Sequence, residues 1–232
     1  IFAAESGLYK YSGQSDNMGN AVYIVDTETG TLLWRISNSN SDINIKEMQN
    51  SIVSSPVLID YNKDGLSDAF FINDIRGQIF RCDFSSELNS ELSCGTIAQL
   101  QEKNEDLYFM TDLDISFIGG TDQYPHRKLV LSLSSGNKFK PIDPDASNRI
   151  AVIFDSYTNS APANYNYIGN SPITLNDLTS ATYESVEPSD YGWYFNLSKP
   201  GEKSFAQTLT FDHKLFASTY LPSEASTNCN SL

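Results

Sequence analysis

The sequence is poor in positive charge and in reactive side chains. Its 232 residues include 15 Lys+Arg, 2 His and 3 Cys. The few cations are scattered, with no basic helix and no Arg/Gly-rich tract, so a nucleic-acid-binding face is excluded. No apolar run approaches about 18 residues, so no membrane span is expected. Neither a CxxC pair, a dinucleotide loop nor a nucleophile elbow is present, which leaves no zinc, nucleotide or hydrolase motif. The opening residues Ile1-Phe2-Ala3-Ala4-Glu5 lack an initiator Met, a basic n-region and a leader's apolar core. The chain starts inside what reads as a strand. It is therefore expected to be a mature or excised fragment, and the missing leader does not argue for the cytoplasm.

What is present is acid and aromatic side chains. The 29 Asp+Glu set against 15 Lys+Arg give 15 − 29 = −14. That charge repels phosphate and anionic lipid, and suits cation binding or a plain solvated surface. With 13 Tyr and 13 Phe, the chain has the material for a sizeable core in one large domain or two small ones.

The periodicity is that of strands. Ala21–Val25 and Thr31–Ile36 flank Thr27-Glu28-Thr29-Gly30 and read as a hairpin. Runs 57–59, 69–72, 78–81, 129–133, 150–154, 193–197, 206–211 and 215–220 read as strands between Gly, Pro, Asn, Asp and Ser turns. Only Asn44–Ser51 and Ile173–Ser180 are expected to form short helices, the second starting after Ser171-Pro172. Residues 156–191, rich in Asn, Tyr, Ser, Thr and Pro without alternation, read as a loop insertion.

One internal repeat is visible. Ala21-Val22-Tyr23-Ile24-Val25-Asp26 aligns with Ala69-Phe70-Phe71-Ile72-Asn73-Asp74, and Gly30 with Gly77, at offsets 69 − 21 = 48 and 77 − 30 = 47. Each copy is a strand, an Asp-started turn with Gly, and a strand. All-β repeats of about 40–50 residues point to propeller blades. The expected fold class is all-β: a β-propeller, partial or cut from a larger ring, with a few short helices in insertions. Residues 1–232 would form part of that single domain. Asp26 and Asp74 are expected to bond the turn amides, and Gly30 and Gly77 to take positive φ.

Asp60-Tyr61-Asn62-Lys63-Asp64-Gly65-Leu66-Ser67-Asp68 is the sharpest motif. Side-chain oxygens fall at loop positions 1, 3, 5 and 9, from Asp60, Asn62, Asp64 and Asp68, and the Leu66 carbonyl falls at position 7. Ca²⁺ takes about six to eight hard oxygen ligands, and such a loop wraps one ion. Gly65 permits the sharp turn. Phe71 stands where an EF-hand has its bidentate Glu, and a β-run follows instead of a helix. This is a Ca²⁺ loop spliced between two strands.

Cys82 and Cys94 are twelve residues apart around a polar stretch, and a strand, loop and return strand would bring them together. Two states stand open: a disulfide in an oxidising compartment, or two free thiols. Cys229 is left over.

These motifs together resemble the C-terminal β-propeller of PilY/PilC-type proteins, the type IV pilus tip-associated biogenesis factors and adhesins. The resemblance rests on Met48–Ile52, on Pro56-Val57-Leu58-Ile59-Asp60 with the oxygen loop, and on Asn73–Phe84. It continues in Gly19–Asp26 with Gly30 and Trp34, in Leu133–Asn137, in Gly192-Trp193-Tyr194, in Pro200–Lys203 and in Ser218–Pro222. It covers most of the chain outside residues near 156–190. It implies an extracytoplasmic domain at the periplasm, outer-membrane surface or pilus tip. The domain would carry one Ca²⁺ on Asp60, Asn62, Asp64, Leu66 and Asp68. It also implies action in pilus biogenesis, calcium-regulated extension and retraction in twitching motility, and adhesion. The partners would be pilus subunits (minor pilins) and host or abiotic surfaces. Asn62 replaces an Asp often found there, which removes one charge. Arg76-Gly77-Gln78 is not the Arg-Gly-Asp that some members carry, so integrin binding gets no support.

Two other readings fit the sequence less well. Asp26-x-x-x-Gly30-x-x-x-Trp34 resembles the blade-docking motif of quinoprotein dehydrogenases, but Arg81 replaces the Trp in the second repeat. Asp112 and Asp114 could mimic a catalytic pair, yet read better as turn or surface carboxylates. His126 and His213 read as turn residues, so no enzyme is expected. A sugar-binding or integrin-like calcium propeller would carry several such loops, and one is present. The stretch Asn164-Tyr165-Asn166-Tyr167 reads as a surface loop able to contact glycans or a partner.

Overall fold

β-Branched and aromatic runs cut short by turn residues leave no room for a long helix, and the chain folds as sheets. The computed structural model describes residues 2–3, 19–85, 91–102, 105–119, 127–144, 146–168, 171–182 and 189–222. Cys229 and His126 lie outside them.

The first sheet is ordered β1 (Phe2–Ala3), β2 (Ala21–Val25), β3 (Leu32–Ser37), β4 (Ile43–Asn44). The second is built on the antiparallel meander β5 (Val57–Ile59), β6 (Ala69–Asn73), β7 (Gln78–Phe84), β8 (Leu92–Gln99). The third has β9 (Asp114–Ile118), β10 (Lys128–Ser134), β11 (Arg149–Asp155) and β14 (Gly192–Asn196) as its antiparallel strands. Each sheet is extended by a two-residue strand running parallel to its neighbour. β4 lies along β3, β12 (Ile173–Thr174) along β8, and β13 (Thr179–Ser180) along β14. A separate hairpin, β15 (Leu209–Phe211) and β16 (Lys214–Phe216), follows. The chain is all-β, in several open sheets.

Period-2 alternation stacks these sheets face to face. On β6, Phe70 and Ile72 pack with Val22, Ile36, Met48 and Ile52 of the first sheet's region. Ala69 and Phe71, on the other face, pack with Leu129, Leu131 and Ile153 of the third sheet. A strand sandwiched in this way is buried throughout, and all of β6 is. Val130, Val152 and Phe154, on the far face of the third sheet, meet Leu215 of the last hairpin.

The expected hairpin and repeat are present. β2 pairs with β3 and β6 with β7, both antiparallel. Asp26 Oδ1 accepts the Glu28 and Thr29 amides, and Asp74 Oδ1 accepts those of Arg76 and Gln78. Gly30 and Gly77 close the two turns at φ 71° and 75°. All the expected strand runs pair, although 206–211 shortens to Leu209–Phe211 and 215–220 to a strand, Lys214–Phe216, that keeps only its first two residues.

Three expectations are corrected. Asn44–Ser51 is not a helix: Asn44 ends β4, and the chain then turns with Met48 N–H on the Ile45 carbonyl at 2.9 Å. Ile45, Met48 and Ile52 mimic helical spacing because all three drop into the core between the first two sheets. Ile173–Ser180 yields only a 3₁₀ turn, Leu175–Asp177, between β12 and β13, held by a Thr174–Asp177 capping box. The Asn164–Tyr167 stretch is more than a surface loop, since Tyr167 is buried in the core. Residues 156–191 lie between β11 and β14 and supply both β12 and β13. The alternation of β8 is interrupted at Gly95-Thr96-Ile97, whereas β9 alternates over Asp114-Ile115-Ser116-Phe117 but is short.

Candidate metal centre

The oxygen-rich loop joins β5 to β6, and the Asp68 N–H closes its base on the Ile59 carbonyl at 2.8 Å. Above that base the side chains fold inward onto the loop's own amides. Asp60 Oδ1 accepts the Lys63 N–H at 2.5 Å and Oδ2 accepts that of Gly65 at 2.9 Å. Asn62 Oδ1 and Asp64 Oδ1 accept the Asp64 and Leu66 amides, each at 2.8 Å. Asp68 Oδ2 accepts the Tyr61 N–H at 2.6 Å. Positive φ at Lys63 (64°) and Gly65 (91°) gives the loop its tight curl.

The oxygens left over converge. Asp64 Oδ2 and Asp68 Oδ1 both face the Asn62 amide nitrogen, at 3.0 and 3.4 Å. A partly positive N–H group therefore sits between two carboxylates. Among the described residues the Leu66 carbonyl accepts no hydrogen bond. Among them, too, no three His, Cys, Asp or Glu side chains gather as a ready metal cluster. The donor set is three carboxylates, one amide oxygen and one carbonyl, all hard oxygens on one loop, and so fits Ca²⁺ chemically. Rotation of the Asn62 amide would present its oxygen in place of its nitrogen.

Tyr61 ties this loop to the core. Its ring is buried edge-on to Phe117, 6.3 Å between centroids, and the Arg81 guanidinium lies 5.4 Å from its centroid. Among the described residues its buried hydroxyl has no hydrogen-bond partner, and burial holds its pKa well above the usual phenol value.

Arg81 is fully buried. Nε and one terminal nitrogen grip Asp83, the latter at 2.7 Å, and the other donates to Asp155 Oδ2 at 2.7 Å and the Tyr157 carbonyl at 2.8 Å. Tyr167 Oη donates to Asp155 at 2.9 Å, and Tyr165 Oη to Asp83 at 3.0 Å. Burial pushes the Asp155 carboxyl up, and the Arg81 charge pulls it back. Burial works against the Arg81 charge, but Tyr167, Asp83 and Asp155 outweigh it and raise its pKa. This group joins the second sheet, the third sheet, the oxygen loop and the 156–191 segment. Sequence reading passed over it, although a signal was there: a cation in the apolar strand position that Trp34 fills in the first repeat.

The remaining candidates take structural places. Cys82 and Cys94 face each other across β7 and β8 and form a disulfide. Asp112 Oδ1 accepts the Ser55 N–H at 2.7 Å, and Asp114 Oδ2 that of Thr210 at 2.6 Å, so the two carboxylates bind separate segments. Trp34 packs on the first core cluster. His213 lies in the β15–β16 turn with φ 58°. Among the described residues no helix is long and apolar enough to cross a membrane.

No protein-family model matches the chain, and no curated protein matches it. Among solved structures, the crystal structure of the Pseudomonas aeruginosa PilY1 C-terminal domain matches with a TM-score of 0.61 at 16% identity. The match covers 87% of this chain and 50% of that one. The chain shares the fold of the PilY1 C-terminal domain. It spans about half of that domain's length.

Proposed function

We propose that the chain is a calcium-binding β-propeller segment of a type IV pilus tip-associated protein. Its role would be non-enzymatic and extracytoplasmic, in pilus biogenesis, calcium-regulated twitching and adhesion, with minor pilins and surfaces as partners. The observation that carries this reading is the shared fold with the PilY1 C-terminal domain over 87% of the chain. Three further features support it. Antiparallel meanders stacked face to face are what propeller blades require. The Cys82–Cys94 disulfide suits an oxidising compartment. The donor set of the 60–68 loop is the oxygen set that Ca²⁺ takes.

Asp60, Asn62, Asp64, the Leu66 carbonyl and Asp68 would hold the ion. When bound, it supplies two positive charges against three carboxylates. Those carboxylates also accept the loop amides, and without the ion their mutual repulsion is expected to loosen the loop.

Isothermal titration with Ca²⁺ tests the site. One ion is expected to bind the wild type, and affinity is expected to fall at least about tenfold in Asp64→Ala. Absence of binding by the wild type, or unchanged binding by the variant, overturns the calcium assignment. The pilus role is tested separately, by deleting the gene and complementing it with the full-length protein. Twitching restored by the wild type but not by the Asp64→Ala version is expected, and a deletion with normal twitching overturns that role.

A further inference from the structure

A pocket of about 630 Å³ opens between the end of β4, β8 and residues 160–166 and 171–172, away from the oxygen loop. We propose that it binds a neutral saccharide. This stands independently of the cation loop, none of whose residues lines it.

The wall of the pocket is built in place. Asn164 and Tyr165 are consecutive non-glycine residues in the left-handed region, at φ 53° and 54°. Such backbone costs conformational energy and persists only where its surroundings enforce it. Here the Tyr165 hydroxyl is held by Asp83 and by Ser93, and its side chain packs against Gly95. A Cβ on Gly95 would come within 2.4 Å of that ring, so the close approach needs glycine. Behind the wall, Arg81 grips Asp83, and the disulfide fixes Cys94.

Five polar groups facing this space are unspent. The Glu47 carboxylate, the Asn44 amide nitrogen, the Asn164 amide and the Ser160 and Ser171 hydroxyls make no hydrogen bond among the described residues. All five residues are exposed. They supply both donors and acceptors, as an array of sugar hydroxyls requires. Pro162 and Pro172 add apolar patches for the C–H faces of a sugar ring. No Lys or Arg lines the pocket, while Glu47 and Asp83 do. A phosphate, sulfate or sialic acid carboxylate would meet only negative charge there.

Saturation-transfer NMR and titration with galactose, N-acetylglucosamine, lactose and cellobiose test the proposal, with 6′-sialyllactose and spermidine as charged comparators. Binding of at least one neutral sugar is expected. Its affinity is expected to fall on the order of tenfold in Glu47→Ala or Asn164→Ala, and to vanish in Ala163→Trp, which fills the pocket. Unchanged thermal unfolding of Glu47→Ala is expected to accompany its loss of affinity. The proposal is overturned if no neutral sugar binds or if the sialylated sugar binds as well as the neutral ones. Binding of spermidine alone, or sugar binding that is indifferent to all three substitutions, equally overturns it.

Discussion

Replacing Arg81 by Met removes the cation from the joint between the second and third sheets and keeps most of its volume. The partners it leaves are specific. Asp155, whose side chain is fully buried, keeps only the Tyr167 hydroxyl and the Tyr157 amide as donors. Asp83 loses its two-nitrogen grip, and the Tyr157 carbonyl loses its 2.8 Å donor. Breaking a buried ion pair from one side costs about 3–5 kcal/mol, because the surviving charge is stranded. Against a total stability of about 5–15 kcal/mol, that is a large share.

The pH dependence identifies the cause. Without the guanidinium, burial dominates Asp155 and raises its folded-state pKa above the unfolded value. The penalty is therefore greatest at neutral pH and shrinks as the solution is acidified and Asp155 protonates. Guanidinium denaturation of wild type, Arg81→Met and Arg81→Met/Asp155→Leu, each at neutral and acidic pH, measures this. The double variant is expected to recover a good part of the loss. A single-variant cost below about 1 kcal/mol, or a double variant no better than the single, refutes the reasoning.

Asp74 gives a second pH test. Burial pushes its carboxyl up to about 6, against the pull of Asn50 and the Gln78 and Arg76 amides. Its contribution is then present below about pH 4 and lost as pH rises through about 6, roughly 3 kcal/mol in all, and Asp74→Asn should flatten that slope in denaturation curves. The repeated glycines separate strain from crowding. Gly30→Ala meets nothing within 4 Å and should cost only its φ, about 1 kcal/mol, whereas a Cβ on Gly77 lands 2.6 Å from the Phe109 ring, so Gly77→Ala should lower Tm markedly more. Mutating Cys82 and Cys94 to Ala opens a loop with a sequence separation of 12 and should cost about 3 kcal/mol, read as a shift in the denaturation midpoint.

The sequence by itself determined what is local. The Asp-to-Gly turns at 26–30 and 74–77 were legible because each carboxylate bonds amides two to four residues away. The nine-residue oxygen loop was legible for the same reason: its oxygen donors, spacing and glycine all lie within one turn of chain. The Cys82–Cys94 approach followed from one hairpin. Tertiary structure alone decided the rest. Ile45, Met48 and Ile52 carry helical spacing, yet the space between two sheets, not a helix ladder, holds them. β4, β12 and β13 have two residues each and exist only because a neighbouring strand offers an open parallel edge. The largest departure is Arg81, whose partners Asp155 and Tyr167 lie 74 and 86 residues away. No pattern along the chain records that meeting. A buried cation is tolerable only where folding delivers its counter-charges, and in a stack of sheets that is settled by which faces meet.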